Sequence, residues 1–379
     1  MVIQSEKVWI GNQFIPAQLQ LSEGKIERVY AWGEKKADAD YGKLRLVPGF
    51  IDVHTHGAYG FDTNDAEPEG LRHWIKTIPE EGVTAFLPTT VTQMPDVLTA
   101  AVENVAEIAE ENVEGAEILG IHFEGPYLSM DYKGAQPPEA IAKASVEEFS
   151  RYQRAARGWI KYITLAPELD EDFVLTRYCK KTGVVVSMGH SGASYDEVMM
   201  GIANGATSMT HIYNGMTPYH HRKAGVVNAA FRVRDIYGEI IGDGCHSNIE
   251  AVNNYFAAKG RDFGIMITDS LRVKHCPPGV NCTLGGHAIE VGEDGLARLK
   301  GTDTIAGSTL AMNDGLRILV EEAMVPFDAA LNACTVNPAR CLGADRRKGR
   351  LCAGYDADIV VLDEQYRVVQ TYCRGKAML

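Results

Sequence analysis

The feature that most constrains this chain is a set of eight near-continuous apolar runs in its middle: 46–53, 84–87, 117–123, 160–165, 183–188, 208–210, 238–241 and 263–268. Residues that stay apolar at consecutive positions read as strands buried on both faces, the habit of a parallel sheet. Helical stretches separate the runs, among them Asp96–Asn112, Ser145–Ala156 and Tyr195–Ala203, and two further helices are expected at Asp314–Met324 and Ala329–Ala333. Eight strand-then-helix units of this length predict a TIM-like (β/α)8 barrel. An open doubly wound sheet is the competitor, but no GxGxxG follows the first run. The ends of the chain read differently. Segments 7–10, 14–19 and 25–31 are strand-like and separated by Gly11-Asn12 and Glu23-Gly24, which are hairpin signals. Segments 357–362 and 367–372 match them at the far end. The expected fold is therefore α/β: a barrel over 48–344 and a small β-sandwich domain assembled from 1–47 and 345–379, since termini commonly lie close together.

Composition excludes several classes. With 45% hydrophobic and 23% charged residues, the chain is neither disordered nor fibrous. A formal charge of −13 argues against nucleic-acid binding, which needs clustered Lys and Arg, but leaves room for a small anionic substrate in a local basic pocket. No apolar run reaches the ~18 residues that cross a bilayer, and the first residues lack the charged-then-apolar layout of a signal peptide. The eight cysteines form no CxxC pair and read as reduced thiols. Cytoplasmic location without a membrane partner is the expectation.

The polar residues that close the runs carry the chemistry. Run one ends in His54-Thr55-His56, run three in His122-Phe123-Glu124, run five in Gly189-His190, run six in His211 and run eight in Asp269. Active sites of barrels sit at the C-terminal ends of the strands, so these side chains should meet at one mouth. Residues two apart in an extended segment point to the same side, so His54 and His56 can reach one ion. Singly, each signal is weak: a lone strand-end His is more often a hydrogen-bonded core residue, and a lone carboxylate is often a helix cap. At five ends of one barrel they point together to a metal site. Imidazole with carboxylate suits zinc, iron or manganese better than calcium or magnesium.

Longer phrases then connect the chain to a family. PGFIDVHTHG at 48–57, HFEGP at 122–126, KGAQ at 133–136, GHS at 189–191, THIYNGM at 210–216, HHR at 220–222, DGCHS at 243–247, ITD at 267–269, AGS at 306–308, NPAR at 337–340 and KGRLCAGYDADIVVL at 348–362 resemble the metal-dependent amidohydrolases. Within these, they resemble the N-acetylglucosamine-6-phosphate deacetylases. The resemblance runs nearly end to end; HFEGP and THIYNGM are its specific parts, whereas the HxH and the closing segment are shared across the superfamily. It implies Glu124, His190 and His211 as ligands of one metal. It implies His54 and His56 as the pair that holds a second, Glu124 bridging, and counts Asp269 among the metal ligands. Zinc, iron or manganese would activate a hydroxide, with Asp269 as general base and then acid. Gln136, Asn214, Gly215, Arg222 and His246 are implied as substrate-binding, Arg222 for the phosphate. A carboxylated Lys bridge, as in hydantoinases, is disfavoured because Glu124 stands in its place. The implied partner is a small amino-sugar phosphate, and the implied assembly a homodimer.

Two departures bear on substrate choice. Ser270 follows Asp269 where the family usually has Ala, and the segment 272–281 is unusual for the loop after strand eight. N-acetylgalactosamine 6-phosphate or another N-acyl amino-sugar phosphate therefore stands as an alternative substrate. A non-catalytic sugar-phosphate sensor is the alternative of a different class.

Overall fold

The computed structural model describes residues 1–379 apart from Pro278, Gly279, Asn281 and Glu293. All eight runs contribute strands: Phe50–Thr55, Val83–Pro88, Ile121–Glu124, Ile160–Leu165, Val185–Met188, Ser208–Met209, Gly238–Ile241 and Gly264–Ile267, here called barrel strands one to eight. One and two pair in parallel, three to six form a single parallel ladder, and seven and eight pair in parallel. Single links close the gaps. A parallel bridge between Thr89 and His122 joins two to three. The Met209 and Ile212 amides donate to the Tyr237 and Glu239 carbonyls, joining six to seven, and the Asp269 amide donates to the His54 carbonyl, joining eight to one. The sheet thus closes on itself.

Both faces of these strands are buried, which is why the runs lack alternation. Ile51, Val53, Ala85, Leu87, Tyr162, Ile241, Ile265 and Ile267 fill the interior. Their neighbours Phe50, Val83, Phe86, Phe123, Ile163, Val186, Ile240 and Met266 lie in the core shared with the surrounding helices. Those helices include Pro95–Glu110, Val146–Ala155 and Tyr195–Asn204. The last starts at Ser194, whose side chain accepts the Glu197 amide while the Glu197 carboxylate accepts the Ser194 amide, a capping box, and it stops at Gly205. Beyond strand eight, Met312–Arg317 and Phe327–Cys334 supply the two later helices.

One run divides. Its first half, Arg45–Pro48, joins the terminal sheet, and its second half is barrel strand one. The break falls at Gly49, where a Cβ atom would lie 2.1 Å from Thr84 Oγ1, so only glycine lets the chain pass that close. The terminal sheet runs Lys376–Ala377, Val368–Cys373, Ile359–Leu362, Arg45–Pro48, Val2–Ile10, Gln13–Ser22, Lys25–Ala31. It is one continuous hydrogen-bonded sheet, and inward residues from both chain ends (Ile3, Leu19, Ile26, Ile359, Val361, Tyr372) share one core. Trp9 and Phe14 seat it on the barrel through Phe327, with ring centroids 5.0 and 5.3 Å away.

A third element has no counterpart among the sequence expectations. Cys282–Leu284, His287–Val291, Ala297–Leu299 and Ile305–Gly307 form an antiparallel four-stranded sheet inserted after strand eight. Its first turn is Gly285-Gly286, a two-residue hairpin signal. Leu284, Ile289 and Ala297 pack with Val91, Ala135, Leu271 and Val273 in a small core of their own.

Candidate metal centre

The C-terminal ends of the barrel strands bring His54, His56, Glu124, His190, His211 and Asp269 together, all of them buried. His54 and His56 project to one side of strand one, ring centroids 5.2 Å apart. Glu124 is the last residue of strand three. His190, His211 and Asp269 each stand two positions past the last residue of strands five, six and eight, and all three have left-handed backbones, with φ of 48°, 25° and 49°. A non-glycine residue held there costs about 1–3 kcal/mol. Three such costs in one cluster mark a site whose geometry is imposed by the surrounding fold.

Two ligand sets are present. In the first, Glu124 Oε1 lies 3.4 Å from both His190 Nε2 and His211 Nε2, and these nitrogens are 3.1 Å apart. In the second, Asp269 Oδ1 lies 3.5 Å from His54 Nε2 and 3.2 Å from His56 Nε2. Glu124 reaches the second set as well, Oε1 at 3.5 Å from His54 and Oε2 at 3.3 Å from His56. Ligands about 2.1 Å from a tetrahedral ion stand about 3.4 Å from one another. These spacings match that edge length.

The hydrogen bonds decide which nitrogen of each ring is free. His190 Nδ1 donates to the Tyr132 carbonyl at 2.9 Å and His211 Nδ1 to the Asn214 carbonyl at 3.1 Å. His54 Nδ1 donates to Glu239 at 2.9 Å and His56 Nδ1 to the Thr89 carbonyl at 3.2 Å. Each Nε2 lone pair is thereby turned toward the cluster. His54 Nε2 and Glu124 Oε1 are buried with no hydrogen-bond partner. Among the described residues, every ion-pair partner of Glu124, Asp269 and Glu239 is a histidine. Burial alone would push His54 down, yet Glu124, Asp269 and Glu239 raise it well above the imidazole range. His56, lowered by burial, is lifted to about 9 by hydrogen bonds with Asp269 and Glu124. The cluster calls for positive charge from outside the chain, and its donor set fits a divalent cation.

His122 also touches this region but belongs to the core. Its Nδ1 donates to the Val53 carbonyl and its Nε2 accepts from Thr164, at 2.9 and 2.8 Å. Both nitrogens are used, so it has nothing left to ligate with. Burial and the neighbouring His54 push it well below the usual range.

A cavity of about 270 Å³ opens on the cluster and is lined by His56, Glu124, Gln136, His190, His211, Asn214, Gly215, His246 and Asp269. His54 stands behind its wall, fully buried. Gln136 is held at both ends: its Nε2 donates to Glu124 Oε2 at 2.7 Å and its Oε1 accepts the Thr92 amide at 2.8 Å. His246 Nδ1 donates to Asp243 at 2.6 Å. Arg222 is exposed on its loop and does not line the cavity. The inserted sheet supplies the rest of the wall through Leu284, Asp303, Ile305, Ala306 and Gly307. In the unusual loop after Asp269, Arg272 pairs with Asp65 at 2.5 Å and the fully buried Lys274 with Glu81 at 2.9 Å. Pro278, Gly279 and Asn281 of that loop lie outside the described residues.

Two functional features escape a reading of strand ends. Glu239 lies within the apolar run Gly238–Ile241, and a lone charge inside a doubly buried strand is its signal. The inserted sheet announces itself by Gly285-Gly286 between two short alternating segments.

Comparison with known proteins agrees with this geometry. Residues 45–378 match the model of the amidohydrolase family. The chain belongs to the amidohydrolase family. It is 41% identical to the N-acetylglucosamine-6-phosphate deacetylase of Bacillus subtilis (strain 168), over 87% of this chain and 83% of the relative. It is 31% identical to the N-acetylgalactosamine-6-phosphate deacetylase of Escherichia coli O157:H7, over 98% and 96% of the two chains. A solved mutant N-acetyl-D-glucosamine-6-phosphate deacetylase from Mycobacterium smegmatis, in complex with N-acetyl-D-glucosamine-6-phosphate, superposes with a TM-score of 0.94 at 31% identity, covering 100% of this chain and 99% of that one. This amidohydrolase is thus a barrel enzyme of the metal-dependent hydrolases. Among the described residues, no helix is long and apolar enough to cross a membrane.

Proposed function

We propose that this amidohydrolase removes acetate from N-acetylglucosamine 6-phosphate, giving glucosamine 6-phosphate. The observation that carries the reading is the convergence of two ligand sets and Asp269 on one cavity, in a chain 41% identical over most of its length to a deacetylase of that substrate. Glu124, His190 and His211 would hold one divalent cation, and His54, His56 and Asp269 a second, with Glu124 shared. Zinc suits this imidazole-rich set, with iron or manganese as alternatives. A bound cation would polarise the acetamide carbonyl and lower the pKa of water toward about 7.

The chain's own residues do the rest. Asp269 is held charged: burial would raise its pKa, but His54 and His56 lower it below the ordinary carboxylate range. It can therefore take the proton of the attacking water at neutral pH and return it to the leaving nitrogen, which departs only as a neutral amine. Gln136 has one amide hydrogen committed to Glu124; its second can reach the substrate. Asn214, Gly215 and His246 line the cavity beside the candidate ligands and are assigned to the sugar phosphate. Arg222 is assigned to the phosphate from the exposed rim. We take 48–344 as the catalytic barrel and 1–47 with 345–379 as its supporting sheet, and the working assembly as a cytoplasmic homodimer.

The test is acetate release from purified protein given N-acetylglucosamine 6-phosphate, N-acetylgalactosamine 6-phosphate and the unphosphorylated sugars, with and without a chelator. Release confined to the phosphorylated sugars, abolished by chelation and restored by zinc, iron or manganese, is expected. Faster release from the galacto sugar would transfer the reading to the activity of the Escherichia coli relative. Sugar-phosphate binding without release would leave a sensor.

A further inference from the structure

We infer that Glu239 is a positioning residue that sets the affinity of the His54/His56/Asp269 site. The inference rests on the ligand sets proposed above. Glu239 is fully buried inside the barrel, and no Lys or Arg among the described residues pairs with it. Taking a carboxylate out of water without a cation is strongly unfavourable, so its presence in an otherwise apolar strand needs a reason. Its three contacts supply one. Oε2 accepts His54 Nδ1–H at 2.9 Å and the His211 backbone amide at 3.3 Å, and Oε1 accepts the Tyr162 hydroxyl at 2.6 Å. The carboxylate therefore touches a ligand of each set, by side chain in one and by backbone in the other.

For His54 the consequence is specific. The proton is fixed on Nδ1, so the lone pair of Nε2, which has no partner in the fold, is presented to the cluster. A carboxylate behind the ring also makes that lone pair more basic. His56 has only a backbone carbonyl behind it, at 3.2 Å, so the two histidines of the pair are supported unequally. The weight of that site falls on His54, and through it on Glu239. Tyr162, which would otherwise be a core aromatic, holds the carboxylate's other oxygen and so fixes its direction.

Glu239→Gln keeps the volume and removes the charge. Zinc would be titrated into chelator-stripped wild type, E239Q, H54N and the double variant, with bound metal counted by mass spectrometry. Wild type should take up two ions. E239Q should bind the ion at the His54/His56/Asp269 site about 10- to 100-fold more weakly while the Glu124/His190/His211 site keeps its affinity. E239Q added to H54N should cost that site nothing further, because the effect passes through His54. Two ions bound by E239Q with wild-type affinities would overturn the role of Glu239 and leave the ligand assignment standing. A single ion in wild type would overturn the two-site reading itself. Should E239Q fail to fold, Glu239→Asp retains the charge but withdraws it from His54, and the same selective weakening is expected; unchanged affinity would again overturn the inference.

Discussion

Two clusters among the described residues gather three carboxylates each, and they treat them in opposite ways. Beneath the terminal sheet, Glu117, Asp356 and Asp358 surround Lys348, whose ammonium lies 2.6, 3.1 and 2.5 Å from them. Arg347 bridges Glu117 and Asp356 at 2.6 and 2.7 Å, and Lys25 adds a contact to Asp356 at 2.6 Å. Arg374 adds a contact to Glu117 at 3.8 Å, so the three carboxylates are matched within the chain by Lys25, Arg347, Lys348 and Arg374. Around the candidate metal centre, the ion-pair partners of Glu124, Asp269 and Glu239 among the described residues are all imidazoles. The first cluster is complete as folded and ties barrel strand three's approach to the C-terminal strands. The second is completed by something that arrives. A self-neutralised cluster is architecture, and a cluster short of positive charge is a site.

Breaking each cluster should give different symptoms. The largest effect is expected from Asp269→Asn: acetate release falls about 10²- to 10⁴-fold, while the ion at Glu124/His190/His211 is retained. Full turnover with normal metal content would remove Asp269 from the chemistry. Next is Lys348→Met, which strands buried carboxylates and should cost about 3–5 kcal/mol in denaturant unfolding. Metal stoichiometry should be unchanged, and a loss of metal would mean that the two clusters are not separable.

A smaller effect sharpens the contrast by pH. Without an ion, His56 titrates near 9, above its unfolded value of 6.5. Its protonation stabilises the metal-free fold below about 6.5, and that contribution fades as pH rises toward 9. Protons and cations compete for the same lone pairs, so the rise in Tm on adding zinc should grow between pH 6.5 and 9. A Tm increment that shrinks over that range would contradict the ligand assignment. The smallest effect is the acid limb. Burial would raise Glu117 and Asp356, but Arg347 and Lys348, with Lys25 at Asp356, hold both down to about 2. Their contribution is present above the ordinary carboxylate values and is lost as pH falls toward 2. Arg347→Met should flatten that loss in an acid titration of metal-free protein.

Much of this was legible in the residues. The barrel followed from runs without alternation, because strands covered on both sides must be apolar throughout. The candidate ligands were read from polar residues at run ends, because there the strands of a barrel open onto its mouth. Arg45–Pro48 was harder, since a strand passing from one sheet to another stays apolar and only Gly49 marks the transfer. Glu239 was missed because the same rule that finds strands treats an interior charge as noise. The inserted sheet was missed because its strands are three to five residues long and its polarity resembles a loop's. The left-handed backbones at His190, His211 and Asp269 have no sequence signature, since local preference opposes them and the tertiary fold overrides it.

The inserted sheet carries none of the six candidate ligands, yet it walls the cavity through Leu284, Asp303, Ile305, Ala306 and Gly307, on a core largely separate from the barrel's. One wall of the cavity is therefore drawn from a different stretch of chain than the candidate ligands, while Gln136, Asn214, Gly215 and His246 line it from the barrel side. Changes to the insert can redraw that wall without touching the candidate ligands, whereas changes at the barrel strand ends move both. Drift confined to about twenty-five residues, Cys282 to Gly307, can reshape one side of the cavity and leave both candidate ligand sets as they are.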